Sequence, residues 1–257
     1  MTPRQILIAY QTLVLKELTR CFRIWPQTLL PPAITMLLYF LVFGKLVGSQ
    51  IHPVQGFTYI QYIVPGLIMM SVITNSYIHS SSSFFSMKFQ RSIEEILISP
   101  TPNAIILLGF VTGAVVRSII VGIIVLCIAL FFTHLTVEHF WLTIFTVLIT
   151  SIFFGTLGLI NGIFARTFDD VSWVPSFFLT PLTYLGGVFF SIAMLSPLWQ
   201  KVAMLNPILY VVDLFRYSLL GIKDTNIVTA AIILLIVCVV TFFFALHLIR
   251  QSPRLRN

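Results

Sequence analysis

Six stretches of about 20 residues are apolar on every helical face, at 28–47, 60–83, 104–133, 141–164, 172–194 and 227–249. A closed β-barrel would alternate apolar and polar positions in segments of about ten. The pattern predicts an all-α polytopic membrane protein with six transmembrane helices, and an even count puts both termini on one side. Before the first stretch, Arg4 to Arg23 is apolar on one face only. Gln5, Thr12, Lys16, Thr19 and Arg23 form a polar stripe opposite Ile6, Leu7, Tyr10, Leu13, Val14, Leu18 and Cys21. Such a helix lies in the membrane interface, with Arg20 among its basic residues. Trp25, Pro26, Pro31 and Pro32 mark the bend into the first span. The chain reads as one membrane domain, 1–257, with this amphipathic segment at 1–26, spans at 28–194 and 227–249, an external segment at 195–226 and a basic tail at 250–257. It shows no internal repeat.

The external segment is largely apolar in two pieces, PLWQKVAML and PILYVVDLFRYSLLG, each too short to cross a bilayer and separated by Asn206-Pro207. Re-entrant or interfacial helices have this pattern; Tyr210, Asp213 and Arg216 fall within it, the last two at i,i+3 as an expected local pair.

Between the second and third stretches lies QRSIEEILISPTP. A helix over 88–99 would put Phe89, Ile93, Ile96 and Leu97 on one face and Lys88, Arg91, Glu94, Glu95 and Ile98 on the other, ending before Pro100 and Pro102. Two readings stand: a helix on the lipid surface with Arg91 paired to Glu94 or Glu95, or a docking surface for another protein. An anionic leaflet favours Lys and Arg, and Ile98 stands among the charges, so the mixed face fits a protein partner better. The chain carries no phosphate-binding GxxxxGK[ST] motif, so an ATPase driving this machine would be a separate chain docking there.

Composition agrees with the pattern: 58% of residues are hydrophobic, 9% charged, and the mean hydropathy is +1.01. The net charge of +7 is scattered between apolar runs, which argues for membrane orientation and no nucleic-acid partner. Arg4, Lys16, Arg20, Arg23, Lys88, Arg91, Arg166, Arg250, Arg254 and Arg256 flank one side of the predicted spans; Lys45, Lys201, Arg216 and Lys223 flank the other. Ten against four puts both termini and QRSIEEILISPTP in the cytoplasm. Cys21, Cys127 and Cys238 show no metal or disulfide spacing, and no metal site or cofactor within the chain is expected.

The polar residues inside the stretches are the candidates for a pathway or for bundle packing. Arg117 follows Gly109 and Gly113 on one face and is expected to point into the bundle: as a structural arginine, an ion-pair partner across a dimer, or a contact for an anionic substrate. Asn75, and Asn161 within GTLGLING, need partners in lipid. Thr180, Thr183 and Tyr184 accompany Gly186-Gly187 in the fifth stretch, whose aromatic residues read as interfacial belts or as a translocation surface. All eight acids fall in flanks or loops, which weakens a proton-coupled transporter. His79 and His247 lie near span ends without an evident partner, which weakens an intramembrane enzyme. A channel or a structural anchor is compatible with the composition but leaves the acidic helix unexplained.

PGLIMMSVI (65–73), QRSIEEILISP (90–100), PLTYLGGVFFS (181–191) and LNPILYVVDLFRYSLLG (205–221), in that order and with this span pattern, resemble the ABC-2 type permeases, in the YadH-like group and near the NodJ-like exporters. The resemblance covers essentially the whole chain. It implies a homodimer bound to two copies of a separate ATPase that carries ATP and Mg, exporting substrate from the cytoplasm or inner leaflet of a bacterial inner membrane. It also implies that 88–99 is the coupling helix, that 4–23 is the connecting helix, and that 195–221 holds the external re-entrant helices. The substrate class expected is amphipathic: a lipid-linked glycan, a lipid or a lipophilic drug.

Overall fold

The computed structural model describes residues 2–48, 50 and 53–251; Arg254 and Arg256 of the basic tail lie outside them. Among the described residues the regular secondary structure is all helical apart from one isolated bridge, Val54 to Phe57. The helices are α1 (Pro3–Arg23), α2 (Trp25–Tyr39, continuing as a wider π-helical stretch through Val47), α3 (Tyr59–Phe89), α4 (Ser92–Ile98), α5 (Asn103–Phe132) and α6 (Phe140–Phe164). They are followed by α7 (Phe168–Val174), α8 (Thr180–Leu185), α9 (Pro197–Met204), α10 (Pro207–Leu220) and α11 (Ile227–Gln251).

Among the described residues four helices are long and apolar enough by themselves to cross a membrane: Trp25–Gly44, Asn103–Phe132, Phe140–Phe164 and Ile227–Gln251; α9 and α10, bent by 89°, would together make a fifth. The second expected span lies in α3, whose run of serines with Asn75 and His79 lowers its apolarity but is buried at the centre of the fold. The fifth is helical from Phe168 to Leu185 through a π-helical stretch at Pro175–Leu179, not over 172–194. Its helix stops at the glycine pair because Gly187 sits at φ +74°, a region that L side chains rarely adopt.

α3 is the axis of the bundle. Tyr62, Ile63, Leu67, Met69, Val72 and Ile73 are fully or almost fully buried among residues from α5, α6 and α10. GTLGLING packs α6 directly on α3: a Cβ at Gly158 would run into the Tyr77 carbonyl oxygen, and one at Gly162 would lie 2.9 Å from the Ser81 carbonyl oxygen. Gly158→Ala is therefore expected to destabilise the protein. Overpacking against backbone costs about 1–3 kcal/mol, against about 1 kcal/mol recovered in helix propensity. SDS-induced unfolding in mixed micelles measures the balance, and Gly158→Val should be worse; an unchanged midpoint in both variants would remove the close approach as a stabilising feature.

α1 is not detached from the bundle. Thr2 and Gln5 form a capping box at its start, and the helix breaks at Ile24, one residue before Trp25-Pro26 begins α2; Pro31 and Pro32 remain inside α2. Its expected polar stripe is exposed at Thr12, Lys16, Thr19 and Arg23, while Glu17 and Cys21 are buried against α5. At successive turns of α5, Gly109 faces Leu13 and Gly113 faces Glu17.

Candidate functional site

The expected helix over 88–99 is two elements. Lys88 and Phe89 belong to the last turn of α3, the chain turns at Gln90, and Arg91 adopts left-handed backbone at φ +58° before α4 begins. After the turn Ile93 joins a buried cluster with Phe84, Met87, Ile106 and Leu107. Lys88 Nζ donates to the carbonyl oxygens of Ile163 and Ala165 at 2.7 and 2.8 Å, fastening the end of α3 to the end of α6. Carbonyls at a helix C-terminus are natural acceptors for such a cation. Phe89 is exposed and packs beside Phe85 and Phe168 at ring distances of 6.2 and 5.2 Å.

On α4 itself, Ile93 is buried and Ile96 and Leu97 are half-buried; Arg91, Glu95 and Ile98 are exposed and Glu94 is partly so. Arg91 makes no ion pair with Glu94 or Glu95 among the described residues, whose ion pairs lie elsewhere. Ile98 is 85% exposed, an apolar tip held outward on a charged surface. α1 adjoins the same end: Lys16 Nζ lies 3.5 Å from Met87 Sδ, and Arg20 donates to the Ser82 carbonyl and the Ser86 hydroxyl, each at 3.4 Å. Arg23 is exposed.

Two residues read from sequence as unpartnered or peripheral meet beneath this end. Glu17 is 3% exposed, Ser83 Oγ donates to its Oε2 at 2.6 Å, and His79 Nε2 lies 3.2 Å from the same oxygen. Burial raises the Glu17 carboxyl, but the contact with His79, the Ser83 hydrogen bond and the nearby Arg20 charge outweigh it and hold the group below the ordinary carboxylate range. Glu17 is therefore not a flank residue in solvent, and His79 does have a partner.

Arg117, half-buried, points toward the start of α2 and the middle of α3, while the glycines on its face meet α1. Its Nη2 donates to Asn75 Oδ1 at 3.2 Å and to the Thr28 carbonyl at 3.5 Å. Asn75 in turn donates to the Ser71 carbonyl at 3.0 Å. Asn161 is spent on the Val171 carbonyl at 3.2 Å and lines an apolar cavity of about 420 Å³ between α3, α6, the fifth helical segment and α10. The hydroxyls of Thr180 and Thr183 bond to carbonyls of their own segment, at Pro175 and Thr180. The Tyr184 hydroxyl lies 3.5 Å from that of Tyr39, and its ring is tilted against Phe189 at 5.7 Å.

At the opposite end, Asn206 caps α10 through Ile208 N–H at 3.0 Å and donates to the Leu182 carbonyl at 2.6 Å, while Pro207 opens the helix and Tyr210 donates to the Met204 carbonyl at 2.7 Å. The expected Asp213–Arg216 pair does not form. Arg216 ion-pairs with Asp224 at 3.7 Å, donates to the Gly187 carbonyl at 2.6 Å and lies 4.0 Å over the Tyr62 ring. Asp213 accepts from the backbone N–H groups of Asp224 and Thr225, each at 2.7 Å, and from the Thr225 hydroxyl. The buried carboxylate thus takes up the free N–H groups of the loop, leaving Arg216 to the loop's own acid.

The family profile described as ABC-2 type transporter matches residues 8–220, from the first turns of α1 to the end of α10. The chain belongs to the ABC-2 type transporter family. This ABC-2 protein is similar to the inner membrane transport permease YadH of Escherichia coli (strain K12), 50% identical over 250 residues that cover 97% of this chain and 98% of that one. It is more distantly similar to Nodulation protein J of Rhizobium leguminosarum bv. viciae, 25% identical over 221 residues and 83% of each chain. Nodulation protein J of Neorhizobium galegae is 23% identical over 232 residues, 89% of this chain and 88% of its own.

Among the described residues of this ABC-2 protein, no group of three or more His, Cys, Asp or Glu side chains is placed to hold a metal ion. Sequence reasoning missed Asp224 and Glu17. Each is a single acid in a segment read as loop or flank, and only the i,i+4 sharing of a face by Leu13, Glu17 and Cys21 hinted that Glu17 turns inward.

Proposed function

We propose that this chain is the permease subunit of an ATP-driven exporter, moving an amphipathic substrate out of the cytoplasm or inner leaflet, with its ATPase on a separate chain that docks on α4. The observation that carries the docking is the outward face of Arg91, Glu94, Glu95 and Ile98, braced from beneath by buried Ile93. Mixed charge around an apolar tip suits a protein partner and gains nothing from an anionic lipid surface.

In this reading the chain is a multi-pass inner-membrane protein with both termini cytoplasmic. It has six spans, counting α3 and the segment from Phe168 to Leu185, and works as a homodimer with two ATPase copies that bind ATP and Mg. α1 is the connecting helix, and α9 with α10 is an external re-entrant pair. The relatives' names support transport across an inner membrane for YadH, and family membership supports an ATPase partner.

The test is to tag the chain in its native host, solubilise it gently and identify what co-purifies with wild type and with Glu94→Lys/Glu95→Lys. An ATPase should accompany the wild type and be released by the double reversal. Each reversed exposed charge is worth up to about 1 kcal/mol, so the pair weakens binding by up to about thirtyfold. Absence of any ATPase from preparations that retain the permease assembly would remove the docking role of α4 and bring the channel or anchor reading forward.

A further inference from the structure

Arg117 carries a charge that the described protein does not neutralise. No carboxylate lies within 4 Å of it among the described residues, whose ion pairs are His79–Glu17 and Arg216–Asp224. Among the described residues only its Nη2 is engaged, by Asn75 and the Thr28 carbonyl, and its buried Nε makes no hydrogen bond. It borders a cavity of about 350 Å³ between α2, α3 and α5, whose polar side also holds Asn75, Ser71 and Thr35 and whose apolar side holds Pro31 and Met36. The buried Ser71 Oγ makes no hydrogen bond either. A guanidinium removed from water without a counter-charge is costly, and its planar fork fits the oxygens of a phosphate or carboxylate.

Depth decides between those two acceptors. The spacing of the apolar run puts Arg117 mid-span, but α5, at 30 residues, is about 45 Å long against a hydrocarbon core of about 30 Å. Arg117 meets Thr28, in the first turns of α2, and the Thr28 hydroxyl bonds the carbonyl oxygens of Cys21 and Trp25 on either side of the α1–α2 corner. That corner joins the amphipathic α1 to the apolar α2, with Trp25 exposed beside it, and with α1 read as interfacial the guanidinium is within reach of headgroup level, where lipid phosphates lie. Next to the exposed Thr35, Ile34 and Leu38 are exposed on α2, an apolar surface along which acyl chains can lie.

We propose that the cavity between α2, α3 and α5 binds the phosphate of an amphiphile through Arg117, with Asn75 and Ser71 as further polar contacts and the tails outside along α2. This deepens the exporter reading by naming a headgroup class, and rests on that reading only for the later fate of the bound molecule.

Native mass spectrometry of the purified, delipidated permease tests it with three probes: dioleoyl phosphatidylglycerol, dioleoylglycerol with the same tails and no phosphate, and inorganic phosphate. Phosphatidylglycerol should bind and dioleoylglycerol should not. Arg117→Leu should weaken phosphatidylglycerol binding by about ten- to a hundredfold, as loss of charge-assisted hydrogen bonds implies, and Arg117→Lys should restore part of it. Because Arg117→Leu also removes the bonds to Asn75 and Thr28, Thr35→Trp serves as a second variant that obstructs the cavity without touching the guanidinium, and it should weaken binding as well. Equal binding of phosphatidylglycerol by wild type and both weakening variants overturns the proposal, as does equal binding of dioleoylglycerol. Retention of inorganic phosphate with no phosphatidylglycerol bound would make this a free-phosphate site and overturn the amphiphile. No ATPase enters the measurement, so failure of α4 docking and failure of this site are separate results.

Discussion

Asp224→Ala is expected to destabilise the protein by about 3–5 kcal/mol, because it leaves a buried arginine without its counter-charge. The side chains of Arg216 and Asp224 are 3% and 8% exposed, and Asp224 is the point where four segments meet. Its Oδ1 accepts from Ser191 at 2.8 Å and from Gln55 at 3.2 Å, and its Oδ2 accepts from Tyr62 at 3.3 Å beside the Arg216 contact. Arg216 continues the network to the carbonyl of Gly187, at the turn that ends the fifth helical segment. Removing the carboxylate therefore loosens the loop before α11, the start of α3 and the glycine turn together. SDS unfolding in mixed micelles reads the loss. A double-mutant cycle with Arg216→Leu separates the pair from its surroundings: the double variant should lose clearly less than the two single losses added, because no stranded charge remains. A single Asp224→Ala variant within about 0.5 kcal/mol of wild type, the range of ordinary surface substitutions, would mean that the network contributes nothing.

This network also marks where sequence patterning stops. Apolar runs set the long helices within a few residues, because burial in lipid constrains every position of a span; 104–133 became Asn103–Phe132 and 141–164 became Phe140–Phe164. Amphipathicity gave the buried side of α4, since Ile93 is a local signal. It gave the wrong start, because left-handed backbone at Arg91 answers to the distant cluster that Ile93 joins. Partner choice was less legible. Asp213 and Arg216 share a helix face by spacing, yet the loop eleven and twelve residues on supplies N–H groups that satisfy Asp213 and a carboxylate that satisfies Arg216. Side-chain spacing reports which groups can meet within one helix; the partners brought by folding between helices decide which do.

The same rule makes Glu17 the second residue whose loss should be severe. Glu17→Ala opens a space against Gly113 and leaves the buried Ser83 hydroxyl and His79 facing it, at an expected cost of about 1–3 kcal/mol for a buried polar group left unpaired, with the cavity added. The damage should be local to α1. The helix is fastened by Leu13 on Gly109, Glu17 on Gly113, the Tyr10–Thr112 bond at 2.9 Å and the contacts of Lys16 and Arg20 with the end of α3, while Leu7, Ile8, Leu15 and Phe22 are exposed. Amide hydrogen exchange should therefore speed up across α1 in Glu17→Ala, with α5 and α6 little changed. The pH dependence has a definite sign. A carboxylate held below its ordinary range in the folded protein stabilises fully above the unfolded value, and that contribution is lost as pH falls through the folded value. The Glu17 contribution to wild-type α1 protection, after correction for intrinsic exchange, should thus be lost on acidification below the ordinary carboxylate range, whereas Glu17→Gln should show the loosened α1 already at neutral pH. Equal α1 protection in wild type and Glu17→Gln across that range would show that packing on the two glycines alone holds the helix. Loosening in Glu17→Gln would instead identify the buried acid as the fastening between α1 and the last turns of α3, from which α4 projects.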